Sequence, residues 1–200
     1  MEPAVHRTSP ATPATRWNRR QAMLGLGCAM AWPIASWADA SAEARAHALF
    51  LQATQGQDRA AIEPAAAAYA ELWRQHPNDL VLMAYTGATT AMLATTTWLP
   101  WRKMRFADDG LALLDKALAR LSPTQNTVAY RATPAVLEIQ FTAANTFLAL
   151  PSLFNRRERG LSLLSAIVAH PLFKTAPTAF QTTVQAAQRR AQPVSEAASR

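Results

Sequence analysis

From residue 41 onward, apolar residues recur at intervals of three and four, the spacing that aligns side chains on one face of a helix. No segment sustains the strict alternation and β-branched enrichment of a strand, so the fold class read from the pattern is all-α. The periodicity predicts about seven helices, at about Ala42–Ala53, Arg59–Gln75, Leu80–Thr95, Arg105–Leu121, Asn126–Leu148, Arg156–Ala169 and Thr178–Ala191. Ser41 and Asp58 stand where the first two helices need caps, and Gln55-Gly56-Gln57 separates them. Pro64 falls early enough in the second helix to be tolerated. The third carries Val81, Ala84, Tyr85, Ala88 and Met92 on one face; the fourth carries Phe106, Gly110, Leu114, Ala117 and Leu121. Gly110 is expected to admit a neighbouring helix closely, and Pro134 to bend or split the fifth helix.

Prolines follow helix ends repeatedly: Pro77, Pro123, Pro151 and Pro171. Each stops its helix and leaves room for an antiparallel partner, so the elements should pair as helical hairpins. Stacked, these give a short solenoid or a compact helical array. Ala65 and Tyr69 at a spacing of four, followed by Pro77 and then Asn78-Asp79, resemble the second helix and exit of a tetratricopeptide repeat. Met83 and Gly87 then stand at that family's large and small positions, while Leu72 and Thr90 depart from it. A broader likeness covers residues 78–173. Ala84-Tyr85-Thr86-Gly87-Ala88, Leu99-Pro100-Trp101-Arg102-Lys103-Met104 and Gly110-Leu111-Ala112-Leu113-Leu114-Asp115-Lys116-Ala117 are similar to segments of uncharacterised exported helical-repeat proteins of bacteria. So are Tyr130-Arg131-Ala132 and Leu150-Pro151 with Phe154 and Arg156. The resemblance implies a helical-repeat architecture and export, and carries no chemistry with it.

The first forty residues break the helical pattern. Arg16, Arg19 and Arg20 precede an uncharged run from Gln21 to Trp37, which ends in Ala38-Asp39-Ala40. A positive stretch, an apolar stretch and a small-residue exit are the three parts of a secretory signal. The uncharged run is short for a membrane span and is interrupted by Gly25, Gly27 and Pro33, so cleavage is favoured over a permanent anchor. Cys28 lacks the preceding residues of a lipid-attachment site, which leaves a lipid anchor the minor reading. Asn18-Arg19-Arg20-Gln21-Ala22-Met23-Leu24 resembles a twin-arginine export signal, with an ordinary secretory signal as the alternative. The expected organisation is a leader at 1–40, a helical-repeat domain at 41–192 and a flexible tail at 193–200, in the bacterial periplasm or secreted. On this reading the membrane is met only in transit.

Removing the leader leaves sixteen basic and eleven acidic residues, a net charge of +5. That balance favours anionic partners without identifying a nucleic-acid binder. The single cysteine of the chain, Cys28, leaves too, so the mature domain has no disulfide, thiolate nucleophile or cysteine metal site. No cofactor is expected. The remaining histidines, His47, His76 and His170, lack ligand spacing, and His76 and His170 precede prolines at helix ends.

The densest aromatic–basic cluster is Trp98, Trp101, Arg102, Lys103, Arg105 and Phe106. Rings and cations in that order can grip a carboxylate, a phosphate or a peptide terminus; alternatively, the rings plug the core of an inter-helix loop over 96–104. Asp108-Asp109 point about 100° apart on a helix, which argues against a shared metal and for dipole complementation in a first turn. Arg156-Arg157-Glu158-Arg159 places cations at a helix start, with partial pairing to Glu158 expected. Arg131 is expected to be buried near the bend at Pro134 and to satisfy backbone carbonyls freed there. Together these readings favour an adaptor for a protein or peptide partner in the bacterial envelope. Its contact surface would run along the helices from Asp58 to Leu121, with Trp98, Trp101, Arg102, Lys103 and Arg105 as partner-binding residues. A small-ligand carrier or enzyme with a central pocket, and a structural accessory subunit, are the alternatives.

Overall fold

A computed structural model describes residues 34–127 and 131–191. Arg19, Arg20 and Cys28, and the tail at 193–200, lie outside the described residues. The chain divides into two units, Met1–Ile34 and Ala35–Arg200. The second is all-α: among the described residues there are seven α-helices and no strand.

The helices are α1 (Ile34–Thr54), α2 (Ile62–Gln75), α3 (Leu80–Met92), α4 (Pro100–Ala119), α5 (Ala135–Ala149), α6 (Arg157–Ala169) and α7 (Thr178–Ala191), with short 3-10 turns between them. Three boundaries differ from the sequence reading by more than three residues. α1 begins at Ile34 and runs through Ala38-Asp39-Ala40. α4 begins at Pro100, not Arg105, because proline at the first helical position has its ring torsion preset and gives up only an N–H that had no acceptor. α5 begins only after Pro134: Ala132 takes a left-handed φ of 60°, and a proline disfavours helical backbone in the residue before it. Residues 123–126 form a separate 3-10 turn instead, closed by a capping box between Ser122 and Gln125.

α3 is the axis of the array. It has almost no polar face, and all of its residues except Thr90 and Met92 are buried, as expected of a helix apolar all round. Its threonines avoid unpaired hydroxyls by donating to carbonyls of the preceding turn, Thr86 to Leu82 O (2.8 Å) and Thr89 to Tyr85 O (2.8 Å). Asp79 caps its start by accepting from the N–H groups of Val81 and Leu82.

α4 packs against α3 through two glycines. A Cβ placed on Gly110 would lie 2.5 Å from the carbonyl oxygen of Gly87, and one on Gly87 2.9 Å from that of Gly110. The expected role of Gly110 is thus borne out, with Gly87 as its counterpart. Tyr69, Leu72, Met83, Leu111, Leu114, Ile139 and Phe147 build the core around this crossing. A second cluster, including Leu137, Leu164, Ile167, Phe173 and Val184, joins α5, α6 and α7. Each fully buried Leu, Ile or Phe contributes about 1.5–3 kcal/mol.

Candidate functional site

The turn from α3 into α4 is fixed by its threonines. Thr95 and Thr96 donate to the carbonyls of Met92 (2.8 Å) and Leu93 (3.1 Å), Thr97 accepts from the N–H of Leu99 (3.3 Å), and the Arg59 guanidinium reaches the carbonyl of Thr95. Leu99 then stands as N-cap with an extended backbone, and Pro100 opens the helix. On this support the aromatic–basic cluster projects outward. Trp98 is 81 % exposed and Trp101 67 % exposed, with Met104 beside them at 43 %. The alternative in which these rings plug the core is therefore corrected: the loop expected over 96–104 spans only 96–99, and the residues that do fill the space under α4 are Ala107, Gly110, Leu111 and Leu114.

Arg102, Lys103 and Arg105 are also exposed. Arg105 pairs with Asp109 one turn on (3.6 Å), while Arg102 and Lys103 form no ion pair among the described residues. The first turn of α4 contains no acidic side chain and its N-cap makes no side-chain hydrogen bond. Two cations therefore reinforce the positive end of the helix dipole, an arrangement unfavourable to the isolated helix. Lys103 lies on the same stripe as Ala107, Gly110 and Leu114, yet it is exposed: the start of α4 overhangs the array. Trp98, Trp101, Arg102, Lys103 and Arg105 are thus all exposed around the ridge formed by the start of α4, with Trp101 and Arg105 on one side of the helix and Lys103 on the opposite side. A hollow of about 350 Å³ is lined by Arg59, Ala60, Glu63 and Thr96.

Asp108 and Asp109 stand in the third turn of α4, which corrects the first-turn dipole role expected for them. The cations at 156–159 do have partners, but on another helix. Arg156 and Arg159 both bind Asp115 of α4 (2.9 and 2.6 Å) and lie over the Phe147 ring at 5.5 Å, while Arg157 donates to the carbonyl of Ala191 (2.7 Å). They staple α6 to its neighbours.

Of the most charged part of the interior, the sequence reading anticipates only Arg131. Glu138 of α5 is buried and pairs with Arg131, and Tyr85 donates to the same carboxylate (3.0 Å). Arg131 also contacts His47 of α1 and lies 4.8 Å above the Tyr85 ring, which stacks on Tyr69 at 4.8 Å. Burial, and then the Arg131 charge, lower the His47 pKa to about 4, so at neutral pH its Nδ1 is free to accept. Nearby Glu43 is pushed up to about 7, chiefly by burial and then by Asp79. Arg131 does belong to the interior, as expected, but it binds a carboxylate rather than backbone carbonyls. These residues lie far apart in sequence, and a lone Arg in an apolar context is the only hint of them there.

A half-open cleft of about 360 Å³ runs beside this network, lined among others by Glu43, Asp79, Leu80, Thr127 and Ile139. Among the described residues its only ionisable lining groups are the two carboxyls, and one oxygen of Asp79 is engaged in capping α3. Among the described residues no group of three or more His, Cys, Asp or Glu is placed to hold a metal ion, and no helix is long and apolar enough to cross a membrane. The arrangement at Arg131 is turned inward, with Glu138 Oε2 buried and without a hydrogen-bond partner among the described residues; the arrangement at Trp101 faces outward. No family model, curated protein or solved structure matches the chain.

Proposed function

We propose that this chain is an exported helical adaptor of the bacterial envelope, which binds a protein partner through the ridge at Trp98, Trp101, Arg102, Lys103 and Arg105. The observation that carries the reading is the exposure of Trp98 and Trp101 on a hydrogen-bonded support, beside Arg102 and Lys103, which close no ion pair among the described residues. Exposed tryptophans next to arginine are the composition of interface hot spots, where one buried ring and one desolvated cation supply most of the affinity. An isolated exposed ring is ordinary on a protein surface; two within four residues, flanked by Met104, make a patch. The signal-like pattern of residues 1–40 supports the location.

The test uses the tagged protein expressed in its host, with a photo-crosslinking residue at position 101. A protein adduct should form that is lost in Trp98→Ala with Lys103→Glu, while the melting temperature of that variant stays at the wild-type value. Adducts that persist in the variant, or a variant that unfolds, would remove the ridge from the reading. An enzyme or carrier acting at the cleft beside Glu43 has no comparable observation in its favour.

A further inference from the structure

The small-residue exit Ala38-Asp39-Ala40 lies inside α1, so the bond between Ala40 and Ser41, where the leader is expected to end, sits in continuous helix. The helical ladder ties the Ala40 carbonyl to the turn that follows and the Ser41 N–H to the turn before. That helix is held on both sides of the bond. On the leader side, Asp39 Oδ2 lies 3.6 Å from Nε2 of His76, the residue that ends α2. On the other side, Ala46 is fully buried, and the Phe50 ring packs edge-to-face against Tyr69 and Tyr85 at 6.3 and 5.0 Å. Ala40 and Ser41 are themselves exposed. A peptidase therefore meets their side chains but finds their backbone engaged.

We infer that α1 gates removal of the leader: an endopeptidase hydrolyses the Ala40–Ser41 bond while this helix is unwound, and not while it is docked. The inference rests on residues 1–40 being a leader that ends at Ala40. Cutting needs the chain extended on either side of the bond, so that the enzyme can pair with its N–H and C=O groups as a strand pairs with a sheet edge. A wound helix has those groups already engaged, and proteolysis of a folded chain accordingly follows the population of its locally opened form. Water then adds at the Ala40 carbonyl carbon, the C–N bond breaks, Ala40 keeps a carboxylate and Ser41 gains an α-ammonium. The cut takes away Asp39 and its contact with His76. Ala46 and Phe50 stay with the remaining chain, so the docked part of α1 is retained. Removal of the leader thus depends on the order of events. A chain that crosses the membrane unfolded meets the peptidase before α1 winds. A chain that crosses folded, as the twin-arginine resemblance implies, must undock α1 first.

The experiment incubates the unprocessed full chain with purified bacterial leader peptidase and follows, by mass, the product that begins at Ser41. Three full-length chains are compared. Wild type is folded. Leu114→Asp forces a carboxyl into a fully buried position and keeps the chain unfolded with its cutting site unchanged. Phe50→Ala removes the ring that docks α1, ten residues from the bond, and leaves the α3–α4 crossing intact. Folded wild type should be cut about a hundredfold or more slowly than Leu114→Asp, and Phe50→Ala about tenfold or more faster than wild type. Equal rates for wild type and Leu114→Asp, or a Phe50→Ala rate no higher than that of wild type, would overturn the gate and leave the leader in place. Failure of the peptidase to cut even Leu114→Asp after Ala40 would instead remove the processing site, and with it the reading of residues 1–40 as a leader that ends there.

Discussion

Gly87 and Gly110 bring two helix backbones into direct contact, so single methyl groups should be costly there. In Gly110→Ala the new carbon meets not only Gly87 O but the backbone nitrogen of Ala91 at 2.6 Å, and backbone cannot swing aside. A loss of about 1–3 kcal/mol is expected, as for other overpacked cores. Urea unfolding of the purified protein checks it, and an unchanged midpoint would show that α4 slides away freely. The buried pair poses the opposite problem. Glu138→Ala leaves Arg131 facing the interior without its carboxylate, and loss of one member of a buried ion pair costs about 3–5 kcal/mol. Replacing both, Arg131→Met with Glu138→Leu, should recover most of that loss in the same measurement, because no charge is then left unpaired. Gly110 is legible in the sequence, since a glycine on an apolar helical stripe has few other uses. Glu138 is not: it reads as an ordinary solvated position until the fold sets it against a residue from another segment.

Among the helices, α1 docks through His47, Phe50 and Ala46 against Tyr69 and Tyr85, with Glu43 at the edge of the cleft. Its two titratable groups oppose each other. Glu43 is raised from 4.5 to about 7, so the folded state holds its proton more tightly and stability falls as pH rises from 4.5 through 7. His47 is lowered from 6.5 to about 4, so stability falls as pH drops from 6.5 through 4. The two slopes largely cancel between those limits. Glu43→Gln should unmask the histidine: the variant gains melting temperature over wild type at pH 8 and gains none at pH 4. An equal gain at both values would assign the effect to packing instead of ionisation. In α4 the apolar stripe correctly marks the buried face from Ala107 to Ala117, but it carries no signal where Lys103 sits, and so it places the helix start a turn late. Pro100 reads as a loop residue by that pattern, although proline is as much a helix opener as a breaker.

In the molecule as a whole, export and folding are separate questions with separate tests. Residues 1–40, fused to a reporter that is active only when exported folded, should lose export on Arg19→Lys with Arg20→Lys if the twin-arginine resemblance is functional. Unaffected export would assign an ordinary secretory route. The all-α class, the positions of most helices and the lack of any cysteine beyond Cys28 are written in the chain itself. They follow from periodicity, from proline punctuation and from composition, all of which act within a turn or two of chain. Long-range packing alone sets which way Trp98 and Trp101 point, that Asp115 holds Arg156 and Arg159, and that His47, Tyr85, Arg131 and Glu138 meet. Each of those depends on where one helix ends relative to another. A one-dimensional pattern records which face of a helix is apolar, but not how far the neighbour that covers it extends.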